Sequence, residues 1–402
     1  MLLSGLFILS IITLSKAGQS VRCTTMNRRN FLNTAGLSSL ALASGLTSCA
    51  PRFNASSAQV MHRVPKLKLS LDRIVKETVG LRPFRASGPR IAKETLGSKT
   101  LVHNYGHGGS GWSLSWGTGN LARELVLSTG EKKVAVLGSG TVGLATARLL
   151  QEKGCEVTIY TKDLPPNVTS NLATGTWSPA SRVCDPKVAT PEFQDLWEKA
   201  TRFSFRRFQF MLGLDDIVSW VDEYGVSDQP FRQQTDVALG GEVYHLAGLI
   251  PERRDLSPNE HSFGSRYVSW RSSMMFNIPS YLHHQLSTFI MLGGKIKVQE
   301  IKKLEDIDAL PELCVVNCMG LGAKEIFNDE ELTPISGQLA CLIPQPEVTY
   351  KLNARGASII ARKDGIYLGG NGLVGNWDTT PKREVTEKFV DTIQQVMKEM
   401  RS

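Results

Sequence analysis

The chain has no long hydrophobic run, little net charge of one sign once its first residues are set aside, and few cysteines. Each shortage closes off a class of function. The apolar stretch Leu2 to Leu14 is thirteen residues long, against about twenty for a helix that crosses a bilayer. The formal charge of +8 invites a polyanion partner. Yet four of the 46 basic residues and none of the 38 acidic ones fall in residues 1–50, so half the excess belongs to that stretch. What remains is too mild and scattered for a nucleic-acid surface, and no nucleic-acid partner is expected. Beyond residue 50 there are five cysteines, Cys155, Cys184, Cys314, Cys318 and Cys341, an odd number without zinc-type spacing. Cys314 and Cys318 flank the apolar Val315-Val316 and read as core residues rather than a disulfide. No internal repeat is visible. With 402 residues, 41% apolar and 21% charged, the chain has the composition of a globular protein with a large core.

The first fifty residues read as an export leader. Asn27-Arg28-Arg29-Asn30-Phe31-Leu32 is close to the twin-arginine pattern and precedes an apolar run from Leu37 to Leu46. Leu46-Thr47-Ser48-Cys49 has the form of a lipobox, which makes Cys49 the residue that would be lipidated and would tether the chain without spanning the membrane. An ordinary signal peptide with a cysteine near its end is the competing reading. Leu2 to Leu14, upstream of Met26, reads as an over-extended start or as a short membrane segment. The expected location is exported, periplasmic or cell-envelope. Twin-arginine export carries folded proteins, which suits a chain that takes up a bulky cofactor first. Residues 51–70 are polar and basic and read as a tether.

Downstream, the pattern alternates strands and helices. Arg82 to Ile91 is a loop or strand pair punctuated by Pro83, Gly88 and Pro89. Leu101-Val102 is a strand and Leu114 to Leu127 has helical spacing, broken at Thr129-Gly130-Glu131. Val134 to Gly143 reads VAVLGSGTVG: an apolar strand, then the GxGxxG of Gly138, Gly140 and Gly143. Val142 to Glu152 follows as a helix and Glu156 to Tyr160 as a strand, which completes a βαβ unit. Phe193 to Leu212 and Pro279 to Leu292 read as helices, with strands near Ile296 to Val298 and Leu313 to Cys318. Gly337 to Ile343 and Ile366 to Gly370 look like strands of a second, more antiparallel sheet. Val385, Phe389, Ile393, Val396 and Met400 form a helical stripe at the C-terminus.

The fingerprint has a mechanism. Its glycines permit the tight turn and the approach of a pyrophosphate to a helix N-terminus, where free N–H groups favour negative charge. Thr141 and Val142 belong to that turn. Asp163, about twenty residues after Gly143, is the candidate ribose-binding acid, with Lys162 standing where an acid could have been. About thirty residues upstream lies HNYGHGGSGW, His103 to Trp112. His103 and His107 are four apart, but the glycines at 106, 108, 109 and 111 exclude a helix there and with it a metal pair. Such glycines let backbone N–H groups reach a flat or anionic ligand.

HNYGHGGSGWSLSWG is similar to the signature of the D-amino-acid oxidase family, whose members bind FAD. VGLRPFRASGPR, Val79 to Arg90, resembles that family's substrate-carboxylate segment, and DLPPNVTSNLATGTWSP, Asp163 to Pro179, its second flavin-contacting loop. Ile335-Ser336-Gly337-Gln338 and LGGNGLVGNWD, Leu368 to Asp378, match later strands of the family. The resemblance implies an α/β fold: a Rossmann-type FAD-binding domain with a parallel sheet, and an interleaved α+β substrate domain whose sheet is mainly antiparallel. It places FAD contacts at Gly108, Gly109, Ser110, Gly111, Trp112 and Ser113 of the signature. It adds Thr169, Ser170, Thr174 and Gly175 of the second loop to the fingerprint residues.

The order departs from the family. There the fingerprint opens the chain and the GLRP and HNYGHGG segments close it; here the closing segments come first, joined to the fingerprint by Ser128 to Lys133. The chain therefore reads as circularly permuted, which requires only that the joined ends lie in one domain. The expected division is residues 71–180 and 280–335 for flavin, with 80–97 partly at the substrate site. Residues 181–279 and 336–385 cap the substrate, and 386–402 form a C-terminal helix.

By the same resemblance Arg82 grips the substrate carboxylate. A planar guanidinium holds both oxygens and so aims the Cα–H. Ser358 stands where family members commonly carry a carboxylate-binding tyrosine, and Gly372 where some carry a second; Tyr350 and Tyr367 are the candidate substitutes. The expected activity is oxidative deamination of D-amino acids to 2-oxo acids and ammonia, with dioxygen giving hydrogen peroxide. A glycine- or sarcosine-type amine oxidase and a non-catalytic flavin-binding surface lipoprotein are the rivals. Substrate side chain, electron acceptor and a homodimer are left open.

Overall fold

The computed structural model describes residues 61–214, 217–231, 237–239, 242–244 and 251–401. The twin-arginine motif, Cys49 and most of the expected tether lie outside the described residues. Two sheets organise the rest.

The first sheet has six strands, in the order Lys295–Val298, Glu156–Thr161, Lys133–Leu137, Cys314–Asn317, Lys99–Tyr105 and Arg90–Leu96. All neighbours run parallel except the last pair. Val134 to Leu137 and Cys314 to Val316 are wholly buried, as expected for central strands covered on both faces. Helix Thr141–Gln151 follows the strand Lys133–Leu137, and helix Gly111–Leu127 leads back to it from Lys99–Tyr105. These two helices pack together, and helix Pro191–Gln209 packs on Gly111–Leu127 through one core that includes Trp116, Trp197 and Phe208. Thr190 caps that third helix by accepting from the Phe193 N–H at 3.2 Å, with Pro191 opening the first turn. The sequence groups this helix with the substrate cap; its aromatic face packs it instead on the helices of the six-stranded sheet.

The second sheet has nine strands. Its main path runs Ile74–Phe84, Thr333–Leu342, Gly365–Gly369, Ala357–Arg362, Lys351–Ala354, Val218–Ser227, Tyr267–Phe276 and Arg254–Leu256, with Leu373–Val374 paired to Thr333–Leu342. Every pairing is antiparallel except Lys351–Ala354 with Val218–Ser227. The strand Ile74–Phe84, expected in the flavin-binding part, thus belongs to this sheet and crosses to the other through the turn before Arg90. Helix Arg383–Glu399 buries Phe389, Ile393 and Val396 against one face, together with Ala357, Ile359 and Ala361.

Residues 61–70 are not a free tether. Leu67 is buried, Gln345 exchanges hydrogen bonds with the Lys68 main chain at 2.9 Å each way, and Tyr350 donates to Pro65 at 2.8 Å. Polar composition concealed this docking, because main-chain groups make most of the contacts. The five cysteines are all buried free thiols.

Candidate functional site

A cavity of about 470 Å³ opens at the carboxyl ends of the parallel strands, where open α/β sheets bind their ligands. Gly138, Gly140, Thr141 and Val142 line it from the fingerprint, and Gly108, Gly109, Gly111 and Trp112 from the signature. The two glycine loops therefore face one space. Thr169, Ser170 and Thr174 close it from the second loop, Lys162 and Asp163 from the strand end, and Arg82 from the nine-stranded sheet.

Each glycine has a distinct cause. Gly138 has φ of 102°, a conformation that residues with a Cβ rarely adopt. Gly143 does not line the cavity; a Cβ there would lie 2.1 Å from the Gly138 carbonyl oxygen, so its bareness lets the helix close on the turn. Helix Gly111–Leu127 begins at the last signature glycine, so Gly111 is helical although a helix was excluded there.

Several expected contacts instead brace the site from behind. The Ser110 hydroxyl donates to the Ser181 carbonyl at 3.0 Å, and Ser113 accepts from the Ser178 N–H at 2.7 Å. Gly175, with φ of 78°, packs where a Cβ would meet the Phe276 carbonyl at 2.6 Å. Ser110, Ser113 and Gly175 are absent from the cavity lining. Ser358 is absent too. Its hydroxyl donates to Asn353 Oδ1 at 2.8 Å, because Ala357, Ile359 and Ala361 take the helix-facing side of the strand and leave Ser358 on the other. Neither candidate substitute reaches the cavity: Tyr350 is committed to Pro65, and Tyr367 donates to Asp364 at 2.8 Å under the Arg362 guanidinium.

The histidines are occupied singly. His103 Nε2 lies 3.0 Å from Glu94 and its Nδ1 3.2 Å from Asn317 Nδ2, whereas His107 Nε2 pairs with Thr118 at 2.9 Å. Burial drives His107 down to about 3, so it stays neutral across the physiological range. Among the described residues no group of three metal-ligating side chains occurs.

Lining residues that motif reasoning did not single out are Asn104, Tyr105, Glu300 and the turn Met319 to Gly322. Glu300 follows the edge strand Lys295–Val298 and pairs with Lys162 at 3.3 Å, putting an acid beside the lysine at the strand end. Its position just past a parallel strand was the available signal. Tyr105 donates to Asp329 at 2.7 Å, and Arg85 holds the same carboxylate at 2.8 Å, tying the signature to the GLRPFR strand. Burial first, and then Asp329, push the Tyr105 hydroxyl up to about 12.

The Arg82 guanidinium lies over Gly337: a Cβ on Gly337 would fall 2.2 Å from Nη1 and 2.7 Å from Nη2. Burial, with Arg182 nearby, lowers it to about 10, so it remains a cation. The arrangement offers a helix N-terminus for a phosphate, bare main chain for a flat group, and a half-buried guanidinium for a carboxylate.

A D-amino acid oxidase from Dugesia ryukyuensis is 24% identical over 66% of this chain and 77% of its own length. A D-amino-acid oxidase from Rubrobacter xylanophilus is 26% identical over 64% and 75%, respectively. Among solved structures, the L-alpha-glycerophosphate oxidase of Mycoplasma pneumoniae with FAD bound is 13% identical with a TM-score of 0.45, covering 67% of this chain and 79% of that one. L-proline dehydrogenase from P. horikoshii gives 14% and 0.43, over 67% and 77%. The family model described as DAO, FAD dependent oxidoreductase, matches residues 26–125 and 133–402. The chain belongs to this family of FAD-dependent oxidoreductases.

Proposed function

We propose that the chain oxidises D-amino acids. The carbon–nitrogen bond loses two electrons and two protons to become an imine, water hydrolyses the imine to a 2-oxo acid and ammonia, and dioxygen leaves as hydrogen peroxide. The observation that carries the reading is Arg82, a half-buried cation lining the same cavity as both glycine loops.

The residues fit FAD. Thr141 Oγ1 and Asn104 Oδ1 are buried on residues that line the cavity and have no hydrogen-bond partner among the described residues. A cofactor's phosphate and hydroxyl groups satisfy such atoms. When bound, FAD supplies the two-electron acceptor and passes the electrons to dioxygen. The protein's own contribution is orientation. Arg82 holds the substrate carboxylate by two oxygens, which fixes the Cα–H direction; a neutral amine then needs no protein base. The buried, neutral His107 and the raised Tyr105 hydroxyl add no charge to the pocket.

The test is peroxide release from a panel of D- and L-amino acids, together with bleaching of the visible spectrum under anaerobic D-alanine. Equal rates for both enantiomers, or wild-type kcat/KM in Arg82→Ala, would end the reading. A glycine- or sarcosine-type oxidase is favoured by one observation: Ser358, at the position of the family's tyrosine, turns to Asn353 and supplies no hydroxyl to the cavity. Faster turnover of glycine than of D-alanine would select it.

We also infer a circular permutation and an exported, lipid-anchored protein. The family match breaks between residues 125 and 133, at the join of the signature helix to the fingerprint strand. Mass spectrometry of the mature N-terminus tests the anchor: a diacylated Cys49 supports it, and an unmodified chain retaining residues 1–48 removes it.

A further inference from the structure

Arg82 has a neighbour of its own sign. Arg182 follows the second loop in a left-handed backbone conformation, φ 50°, which residues with a Cβ rarely adopt. The signature holds it there. A Cβ on Gly108 would fall 1.8 Å from the Arg182 carbonyl oxygen, and one on Gly109 2.7 Å from that of Ser181, which also accepts from Ser110. The Arg182 side chain then crosses Gly372, where a Cβ would lie 3.0 Å from Nη2.

Gly372 and Gly337 are neighbours across two paired strands. Ser336 pairs with Leu373, and the Gln338 N–H donates to Asn371 Oδ1 at 2.8 Å. The two guanidiniums therefore stand side by side over bare main chain. Arg82 lines the cavity, and Arg182 is exposed just outside the lining, its carbonyl against the lining Gly108 and its guanidinium against Gly372. Among the described residues no carboxylate lies within ion-pair distance of either. The repulsion shows in Arg82, whose pKa is lowered first by burial and then by Arg182.

Two adjacent guanidiniums without a counter-ion complement a ligand bearing two negative charges. Resting on the oxidase reading, we propose that the preferred substrate is a dicarboxylic amino acid of the aspartate or glutamate type. Arg82 takes its α-carboxylate and Arg182 its side-chain carboxylate. A monocarboxylate with a neutral amine leaves one guanidinium uncompensated, and an acidic side chain reaches the rim.

The experiment uses the FAD-loaded full chain with two non-oxidisable probes that differ by one carboxylate, succinate and butyrate, read as perturbation of the flavin spectrum. Succinate is expected to bind about tenfold tighter or more, and Arg182→Gln to abolish the difference. In turnover, Arg182→Gln lowers kcat/KM for D-aspartate by about ten- to a hundredfold and for D-asparagine by less than about threefold. Arg182→Lys, which keeps the charge, restores part of the loss. Equal binding of the two probes overturns the proposal, as does an equal loss on aspartate and asparagine, which would put both arginines on one carboxylate. A succinate preference that depends on Arg182, with no D-amino acid bleaching the flavin, removes the oxidase reading and leaves the paired-arginine site standing.

Discussion

The position a Cβ would take on Gly337 is 2.2 Å from Nη1 of Arg82, so the guanidinium rests directly on main chain. Gly337 pairs with Gly80 in regular antiparallel register and has no positive φ, so its backbone accepts alanine. Gly337→Ala should leave flavin content unchanged and displace Arg82. The expected outcome in steady-state assays is a KM for D-amino acids raised about tenfold or more, from the loss of a charge-assisted pair. An unchanged KM would mean that Arg82 does not hold substrate in this position.

Gly143→Ala tests the other end of the cavity. Its Cβ would collide with the Gly138 carbonyl at 2.1 Å, and both partners are main chain on a buried turn, which gives little room to yield. Overpacking of this kind costs roughly 1–3 kcal/mol, and the displaced turn is the one we assign to the pyrophosphate. FAD affinity, measured by fluorescence titration of the apoprotein, should fall about tenfold or more. A yellow preparation of wild-type affinity would show that the helix start adapts.

His107 makes stability acid-sensitive. Its pKa is about 3 in the fold and about 6.5 in an unfolded chain. Because the unfolded state binds the extra proton, this contribution is complete above about pH 6.5 and is lost as pH falls towards 3. At pH 5 the loss is about 2 kcal/mol. His107→Gln should melt lower at pH 7.5 yet lose less between pH 7.5 and 5 than wild type. Parallel Tm-against-pH curves for the two proteins would contradict the assignment.

Glu223 behaves in the opposite chemical sense. Burial favours its protonated form, but Lys351 at 3.1 Å and Arg271 at 2.9 Å outweigh that and hold the carboxyl at about 2. A folded pKa below the unfolded carboxylate value gives stability that is present above about pH 4.5 and is lost as pH falls towards 2. Glu223→Gln leaves two cations facing each other under the sheet, and breaking such a pair costs roughly 3–5 kcal/mol. Calorimetry at pH 7 should show the drop, with the difference from wild type shrinking at pH 3. A constant difference across that range would refute the pairing.

How much of this was readable depends on whether the determinant was local. The strand Lys133–Leu137, its glycine turn and the helix Thr141–Gln151 follow from a contiguous apolar run and from residues five apart, and they stand as expected. The C-terminal stripe at Phe389, Ile393 and Val396 was likewise periodic and is buried. Sheet membership was not local. Ile74–Phe84 and Arg90–Leu96 are separated by a five-residue turn yet lie in different sheets, and no feature of either strand announces its partner. The direction of Ser358 depended on strand parity against a helix some thirty residues on. Motif alignment reached Gly108 and Gly372 one at a time. That both clear a path for Arg182 needed coordinates, because nothing in the spacing of 108, 182 and 372 joins them.

The docking of residues 61–70 carries a mechanical consequence. Leu67 is clasped by the C-terminal helix at Met397, and Lys66 grips the Met400 carbonyl at 2.7 Å. Tension on the chain upstream of residue 61 is thus delivered to that helix and to the nine-stranded sheet.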